Sequence, residues 1–403
     1  MALWFIPVTT AAPRTRTVLA PVVGLIALGL AALILLGLGV GKVGPLGVAV
    51  GAAGALLPVG PVIAAFLWLD RWEPEPAKLL WVAFLWGACG ATICSLLLNS
   101  TAEALGDIVL GHGGGHTLAA VATAPVAEEA AKGIFLVGLL VWRRQEFDGL
   151  VDGIVYAGFV ATGFAFTENI EYFGLAFVKY GFGGATGGVI GAFVLRGVLA
   201  PFTHPLFTGM TGIGIGIAAR TRSSKVRVIA PLVGYICAVL LHSLWNSSAT
   251  LGGANTFLIV YFLVILPILA ATVAVVVWQR RREQRVVAAQ LPGMAAAGWI
   301  ADSEVSLLAS LTGRRGWRAA VRKRAGSQAA KAVSEYQTAA TELAFLRDAV
   351  EHGTAGPESD DRQRRLLATM LAARQVAVNA PDAMRATRNH LDGRENGTDG
   401  LRA

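Results

Sequence analysis

Long apolar stretches separated by short polar segments make up the first 278 residues of the chain. A helix needs about 20 mainly apolar residues to cross a hydrocarbon core that is about 30 Å thick. Eight segments meet this requirement and predict eight transmembrane helices. The segments lie at 18–40, 46–69, 79–99, 117–142, 151–173, 187–219, 228–249 and 256–278. The pattern therefore predicts an all-α fold, a polytopic membrane helix bundle.

The pattern changes after residue 278, where arginine, glutamate and alanine become frequent. Within 327–351, apolar side chains recur at approximately helical spacing, which predicts an amphipathic helix packed on a second helix such as 361–375. The apolar side chains are Val333, Tyr336, Leu343, Leu346 and Val350. Residues 377–403 have the composition of a disordered segment.

These patterns divide the chain into three predicted parts. They are a cytoplasmic N-terminal segment 1–17, an eight-span membrane domain 18–278, and a soluble basic helical tail 279–403 that becomes disordered toward its end. The composition agrees, because 55% of the residues are hydrophobic and 15% are charged, whereas soluble proteins carry about 25% charged residues. Since membrane topology places basic residues in loops and tails, the net charge of +8 does not indicate a nucleic-acid partner.

The basic residues between the spans predict the orientation of the bundle. If the N-terminus lies inside, fourteen arginines and lysines face the cytoplasm, and Lys42 and Lys179 face the outside. The fourteen are Arg14, Arg16, Arg71, Lys78, Arg143, Arg144, Arg220, Arg222, Lys225, Arg227, Arg280, Arg281, Arg282 and Arg285. Because short cytoplasmic loops are enriched in basic residues, both termini are predicted to be cytoplasmic, in an integral protein of the plasma membrane.

Charged residues inside the predicted spans are the candidates for function. Each costs about 2.5–3.5 kcal/mol at the centre of a bilayer. Glu128 and Lys132 are four residues apart on the fourth span, so they can form an ion pair on one helix face. Glu129 points about 100° away from that face and is not explained by the pair.

Further polar residues lie on the three spans that follow. They are Glu168, Asn169, Arg196, His204, His242 and Asn246. The depths of the acids and histidines predict that they converge on one polar cavity in the outer half of the membrane. Such a set can bind a divalent metal through imidazole and carboxylate, or use a glutamate to activate water. Both alternatives lead to hydrolysis. Arg196 is predicted to be a structural partner of Glu129 or Glu168.

Short motifs around these residues resemble a known family. The strings are DRWEPEP at 70–76, EEAAK at 128–132, FAFTENIEY at 164–172 and HSLWN at 242–246. Together they resemble the PrsW-type intramembrane proteases, distant relatives of the CAAX prenyl endopeptidase and bacterial immunity-protein family. The resemblance covers roughly residues 56 to 262, and it implies a hydrolase embedded in the membrane.

The resemblance also implies roles for single residues. The double glutamate of the wider family supplies the base that activates water, which implies Glu128, with Glu129 beside it. Glu168 stands where the wider family has histidine, so it either binds metal or acts as an acid. His242 and Asn246 match the HxxxN motif, and His204 is a further ligand or base.

The sequence therefore predicts an intramembrane peptidase. Its catalytic residues would be Glu128, Glu129, Glu168, His204, His242 and Asn246, with Asn246 steadying the oxyanion. A divalent metal, zinc first, would be held by His204, His242 and Glu168, with Lys132, Asn169 and Arg196 in support. The expected partners are a membrane protein or peptide as substrate and the lipid bilayer, with no nucleic acid. Two alternatives stay open, a proton- or cation-coupled transporter that uses the same acids and a non-catalytic membrane scaffold.

Overall fold

A computed structural model describes residues 19–71, 74–143, 147, 149–183, 187–353, 355, 359–385 and 387–388. Helices account for nearly all of them, and the predicted all-α fold is confirmed for this part of the chain. In chain order, the helices are α1 Leu19–Leu69, α2 Ala77–Leu85, α3 Thr92–Leu110, α4 Gly114–Leu118, α5 Ala124–Trp142, α6 Leu150–Tyr180, α7 Gly188–Phe193, α8 Thr203–Arg220, α9 Ser224–Thr250, α10 Gly253–Val260, α11 Leu266–Ala296, α12 Asp302–Ala309, α13 Leu311–Glu351 and α14 Ser359–Ala377.

Six helical stretches within the described ranges are long and apolar enough to cross a membrane. They are Val22–Leu69, Ala77–Leu110, Leu150–Tyr180, Gly188–Arg220, Ser224–Thr250 and Gly253–Ala296. The first holds both of the first two predicted spans, which are separated at Gly44 by a break with φ of 71°. The predicted fourth span falls in Gly114–Trp142 and carries three charges, which lower its hydropathy. A helical membrane bundle is confirmed, and the number eight stays a prediction.

Four π-helical segments interrupt the membrane helices of the described chain. They are Trp86–Ala91, Ala119–Thr123, Val194–Leu199 and Tyr261–Ile265. The segment Ala119–Thr123 leads directly into α5, and three residues, 200–202, separate Val194–Leu199 from α8. Because a wider turn rotates the side chains that follow it, π-helical segments are often found at functional sites. Here the segment Ala119–Thr123 continues into the helix that carries Glu128 and Glu129, so it contributes to the direction in which they point.

Glycines allow α6, α8 and α9 to pack backbone against backbone. A Cβ built on Gly153 of α6 would lie 2.1 Å from the carbonyl oxygen of Gly212 on α8. On the other face of α8, a Cβ on Gly214 would lie 2.3 Å from the carbonyl oxygen of Ala230 on α9. Such close approaches need residues without side chains, as in the small-residue interfaces of membrane helices. The three helices therefore form a tightly packed unit at the centre of the bundle.

The tail forms a helical unit with its own apolar core. Helix α11 continues through the predicted domain boundary at 278 and contributes Val287 and Leu291 to this core. Helices α13 and α14 contribute Tyr336 and Met370, so the predicted amphipathic helix and its partner do pack together. Within the predicted helix Val350 is 46% exposed, so its assignment to the apolar face was wrong.

The predicted disorder after residue 377 is wrong for Ala383 and Met384, which are buried in the core of the tail. Residues 389–403 lie outside the described residues. Glu304 links the helices of the tail, because it accepts two hydrogen bonds from Arg374 at 2.6 and 3.0 Å and one from Tyr336 at 2.5 Å. Burial and the carboxylate of Glu304 raise the pKa of Tyr336, so the phenol stays protonated as a donor.

Candidate active site

Polar side chains from four helices meet inside the membrane bundle. Helix α5 supplies Glu128, Glu129 and Lys132, and α6, α8 and α9 supply Glu168, His204 and His242. Glu129 and Lys132 are completely buried, and Glu128, His204 and His242 are at most 7% exposed. The structure thus brings together five of the six residues predicted to be catalytic, along with Lys132, one of the three predicted supports; the other two, Asn169 and Arg196, join through Glu168.

Lys132 lies at the centre of this cluster. Its Nζ donates to Glu129 Oε1 at 2.9 Å and to His204 Nδ1 at 3.3 Å, and it lies 3.5 Å from Glu128 Oε2. The ammonium also sits 3.9 Å from the centre of the Phe164 ring. The i,i+4 pair with Glu128 was the one predicted, but the i,i+3 contact with Glu129 is the closer. Lys132 therefore has a strong partner other than Glu128.

Glu129 holds His242 in place. Its Oε1 lies 3.0 Å from His242 Nδ1, and its Oε2 accepts a hydrogen bond from Thr208 at 2.8 Å. The other ring nitrogen of His242, Nε2, lies 3.8 Å from Glu128 Oε2. A carboxylate on one imidazole nitrogen orients the ring and directs the other nitrogen into the site. Thr208 was missed by the sequence analysis, because a threonine in an apolar helix carries no distinguishing signal.

Glu168 holds His204 in the same way from the opposite side. Glu168 Oε2 lies 2.8 Å from His204 Nε2 and accepts a hydrogen bond from Arg196 at 2.5 Å. Arg196 also donates to Asn169 Oδ1 at 2.6 Å and stacks on the Tyr172 ring at 3.9 Å. Of the two partners predicted for Arg196, Glu129 and Glu168, the structure shows the pairing with Glu168.

Phenylalanine rings surround the two histidines. The His204 ring lies 5.6 Å from the Phe164 ring, and the His242 ring stacks on Phe207 at 5.0 Å. The two imidazoles lie edge to face with their centres 5.3 Å apart. Because aromatic walls exclude water, the charges between them interact more strongly than they would at a surface.

Glu128, His204 and His242 form a group that could hold a metal ion. One potential ligand atom from each lies within 4.8 Å of the others, and this is the only such group of histidines, cysteines and acids found in the described residues. The sequence predicts Glu168 as the third ligand, whereas the structure groups Glu128 with the two histidines. Glu168 is directed to the far nitrogen of His204 and to Arg196.

Asn246 lies one turn beyond His242 but does not contact the cluster through a described hydrogen bond. Its Nδ2 donates to the carbonyl oxygen of Ala120 at 2.9 Å, inside the π-helical segment before α5. Asn246 thus ties α9 to the entrance of the helix that carries the glutamates. A shallow opening beside the cluster is lined by Ala165, Asn169, Arg196, Ala200, Pro201, Thr203, His204 and Trp245.

The fold and the cluster define a class of protein: a membrane-embedded helical bundle whose buried glutamates and histidines suit hydrolysis or metal binding. Residues 75–272 match the family model described as PrsW family intramembrane metalloprotease. The matched region contains every predicted site residue from Glu128 to Asn246. This finding supports the PrsW-type intramembrane protease family predicted from the motifs.

Two curated relatives agree with the family model. The protein named Protease PrsW from Oceanobacillus iheyensis is 29% identical over 132 residues, which cover 33% of this chain and 55% of the relative. Protease PrsW from Clostridioides difficile is 30% identical over 125 residues, covering 29% of this chain and 49% of the relative. The chain thus spans about half the length of the curated relatives it matches. No solved structure matches the chain.

Proposed function

We propose that the protein is an intramembrane peptidase that hydrolyses peptide bonds of membrane-associated proteins. The observation that carries the proposal is the buried group of Glu128, His204 and His242, within the region that matches the metalloprotease family. The protein would be a multi-pass component of the plasma membrane with both termini in the cytoplasm. Its partners would be the bilayer and a membrane protein or peptide as substrate.

The residues present could bind a divalent metal ion, and we propose that the ion is zinc. Zinc is commonly bound by imidazole nitrogen and carboxylate oxygen, the two donor types of this group. His204 and His242 would hold the metal, with Glu128 the third donor within reach. Both ring nitrogens of His204 have protein partners, so a metal there would displace Lys132 or Glu168. When bound, the ion would supply a Lewis acid for water and for the scissile carbonyl.

The carboxylates around the histidines have distinct roles in this proposal. Glu128 is the least constrained of the three, since its contacts with Lys132 and His242 are 3.5 and 3.8 Å long. We therefore propose that Glu128 accepts the proton of the attacking water. Glu129 orients His242 and balances the charge of Lys132. Glu168 orients His204, and Arg196 fixes Glu168. Asn246 fixes the position of α9, a different role from the oxyanion contact expected from the sequence.

The test compares newly formed protein termini in membranes from cells that make either wild-type protein or Glu128→Gln. Peptidase activity predicts fragments that depend on Glu128 and are also lost in His242→Ala. Glu103→Gln is the matched control, because Glu103 is half-exposed and lies outside the cluster, where its only described contact is with His116. Candidate substrates are then cleaved by purified protein in vesicles, with and without a chelator and added zinc. Absence of any Glu128-dependent terminus, together with Glu128-dependent proton or cation flux into the vesicles, would establish a transporter instead.

A further inference from the structure

Arginines gather where the membrane bundle joins the tail. The guanidinium of Arg280 on α11 lies 3.8 Å from the centre of the Trp68 ring, one residue before α1 ends. Arg71, which is exposed, follows the end of α1. Arg280 is close enough to both Arg71 and Arg315 for their charges to repel it. The contact with Trp68 thus attaches the first turns of the tail to the predicted cytoplasmic end of α1.

Helix α13 contributes two further arginines to the junction between the membrane bundle and the tail. Its residues Trp317 and Val321 share the core of the tail with Val287 of α11, so the start of α13 lies beside α11. Arg315 is exposed, and partial burial together with repulsion from the nearby Arg315 lowers the pKa of Arg318. We call the set Arg71, Arg280, Arg315 and Arg318 the junction arginine cluster.

Like charges gathered at this junction favour a bound anion. Because Arg280 is buried against Trp68, the exposed guanidiniums of Arg71 and Arg315 are the ones most open to it. Glu283 offsets part of the repulsion at Arg280, while Arg281, Arg282 and Arg285 are exposed on the same stretch of α11 and add positive charge. A guanidinium presents several donors in a plane and suits phosphate oxygens. Basic residues just inside a membrane helix are attracted to anionic lipid at the inner surface of the membrane.

Exposed apolar side chains beside the cluster favour a lipid over a free anion. Leu67 and Trp68 at the end of α1 are 46% and 42% exposed, and Trp278 on α11, two residues before Arg280, is 57% exposed. Tryptophan is enriched at the level of the headgroups. A phospholipid would place its phosphate on the arginines and its acyl chains along these side chains, whereas inorganic phosphate would leave the apolar surface uncovered.

We propose that the junction arginine cluster binds the headgroup of an anionic phospholipid and thereby holds the tail against the inner surface of the membrane. The lipid would bridge α1 of the bundle to α11 and α13 of the tail. This role is separate from the proposed peptidase chemistry, since the cluster contains none of the site residues.

The test is native mass spectrometry of the full-length protein in detergent, titrated with phosphatidylglycerol or with phosphatidylcholine. We expect the wild type to retain phosphatidylglycerol preferentially, and the Arg315→Gln/Arg318→Gln variant to bind it on the order of tenfold more weakly. The matched control is Arg364→Gln/Arg365→Gln on α14, which removes the same charge from exposed positions outside the cluster and should bind as the wild type does.

A second variant guards against misfolding. Arg71→Gln changes an exposed residue outside the tail core and should also weaken phosphatidylglycerol binding. The proposal is overturned if both lipids are retained equally, if the cluster variants bind as the control does, or if inorganic phosphate displaces the lipid completely at millimolar concentration. Preferential capture of RNA over phosphatidylglycerol would also overturn it.

Discussion

Replacing each of the adjacent glutamates by glutamine separates catalysis from structure. Glu129 accepts three close contacts, from Lys132, His242 and Thr208 at 2.8–3.0 Å. Breaking a buried ion pair by removing one partner costs about 3–5 kcal/mol. Glutamine keeps one acceptor oxygen, so we expect Glu129→Gln to destabilise the protein by about 3 kcal/mol, at the lower end of that range.

Glu128→Gln should behave differently. Its contact with Lys132 is 3.5 Å long, and Lys132 keeps Glu129 as the closer partner, so we expect a loss of stability of only about 1 kcal/mol, that of one weak hydrogen bond. If Glu128 accepts the proton of water, cleavage should fall by about two orders of magnitude or more. A double variant with His242→Ala should lose far less than the sum of the two single losses, because both residues serve one step.

The assay combines thermal unfolding in detergent with cleavage measured per folded molecule. Zinc content is measured on the same samples, since a loss of metal in Glu128→Gln would show that Glu128 is also a ligand. The reasoning would be refuted by the reverse pattern, in which Glu128→Gln destabilises the protein as much as Glu129→Gln does while the folded fraction cleaves at the wild-type rate.

Three further predictions concern packing, pH and topology. Gly153→Ala should lower the free energy of unfolding of the bundle by about 1–3 kcal/mol, because its Cβ would overlap the carbonyl oxygen of Gly212. The control is Gly209→Ala, whose Cβ would meet nothing within 4 Å, and this variant should unfold at or above the wild-type temperature. Burial raises the pKa of Asp70, just after α1, to about 7, and a raised pKa means that folding favours the protonated acid. Stability relative to Asp70→Asn should therefore fall by about 1.4 kcal/mol between about pH 6 and 8, and parallel pH curves for the two proteins would contradict this. A single cysteine at Ala254, in a chain without native cysteines, should react with an impermeant thiol reagent outside intact cells, and one at Ser327 should not; labelling of Ser327 alone would reverse the predicted topology.

The apolar pattern predicted most of the helices because length and hydropathy are properties of each segment alone. The break at Gly44 coincides with the gap predicted between 40 and 46. The π-helical segments could not be predicted, because they depend on how neighbouring helices pack. In the tail, the spacing of Val333 and Tyr336 predicted a buried face correctly, and it failed at Val350, where the helix is about to end.

The candidate site was predictable as a set of residues but not as a network of contacts. Charges and histidines in apolar helices are conspicuous, and Glu128, Glu168 and His204 were found in that way. Which acid pairs with Lys132 depends on side-chain rotamers and on the rotation of α5, and the closer partner is Glu129. Asn246 illustrates the same limit, since its position one turn after His242 predicted a place in the site, and its amide bonds to Ala120 instead.

The unequal packing of the four site helices has a mechanical consequence. Glycines bring the backbones of α6, α8 and α9 into direct contact, so these helices cannot slide without steric overlap. At Gly133 of α5, in contrast, a Cβ would lie 3.5 Å from Cγ2 of Thr211 on α8, which is an ordinary van der Waals distance. Helix α5 meets its neighbours through side chains, by apolar contacts such as that of Ala131 with Phe164 and by the polar contacts of the site. If the proposed polypeptide substrate enters the site, we expect α5 to shift more readily than α6, α8 or α9, so that Glu128 and Lys132 exchange contacts while Glu168 and His204 keep their distance.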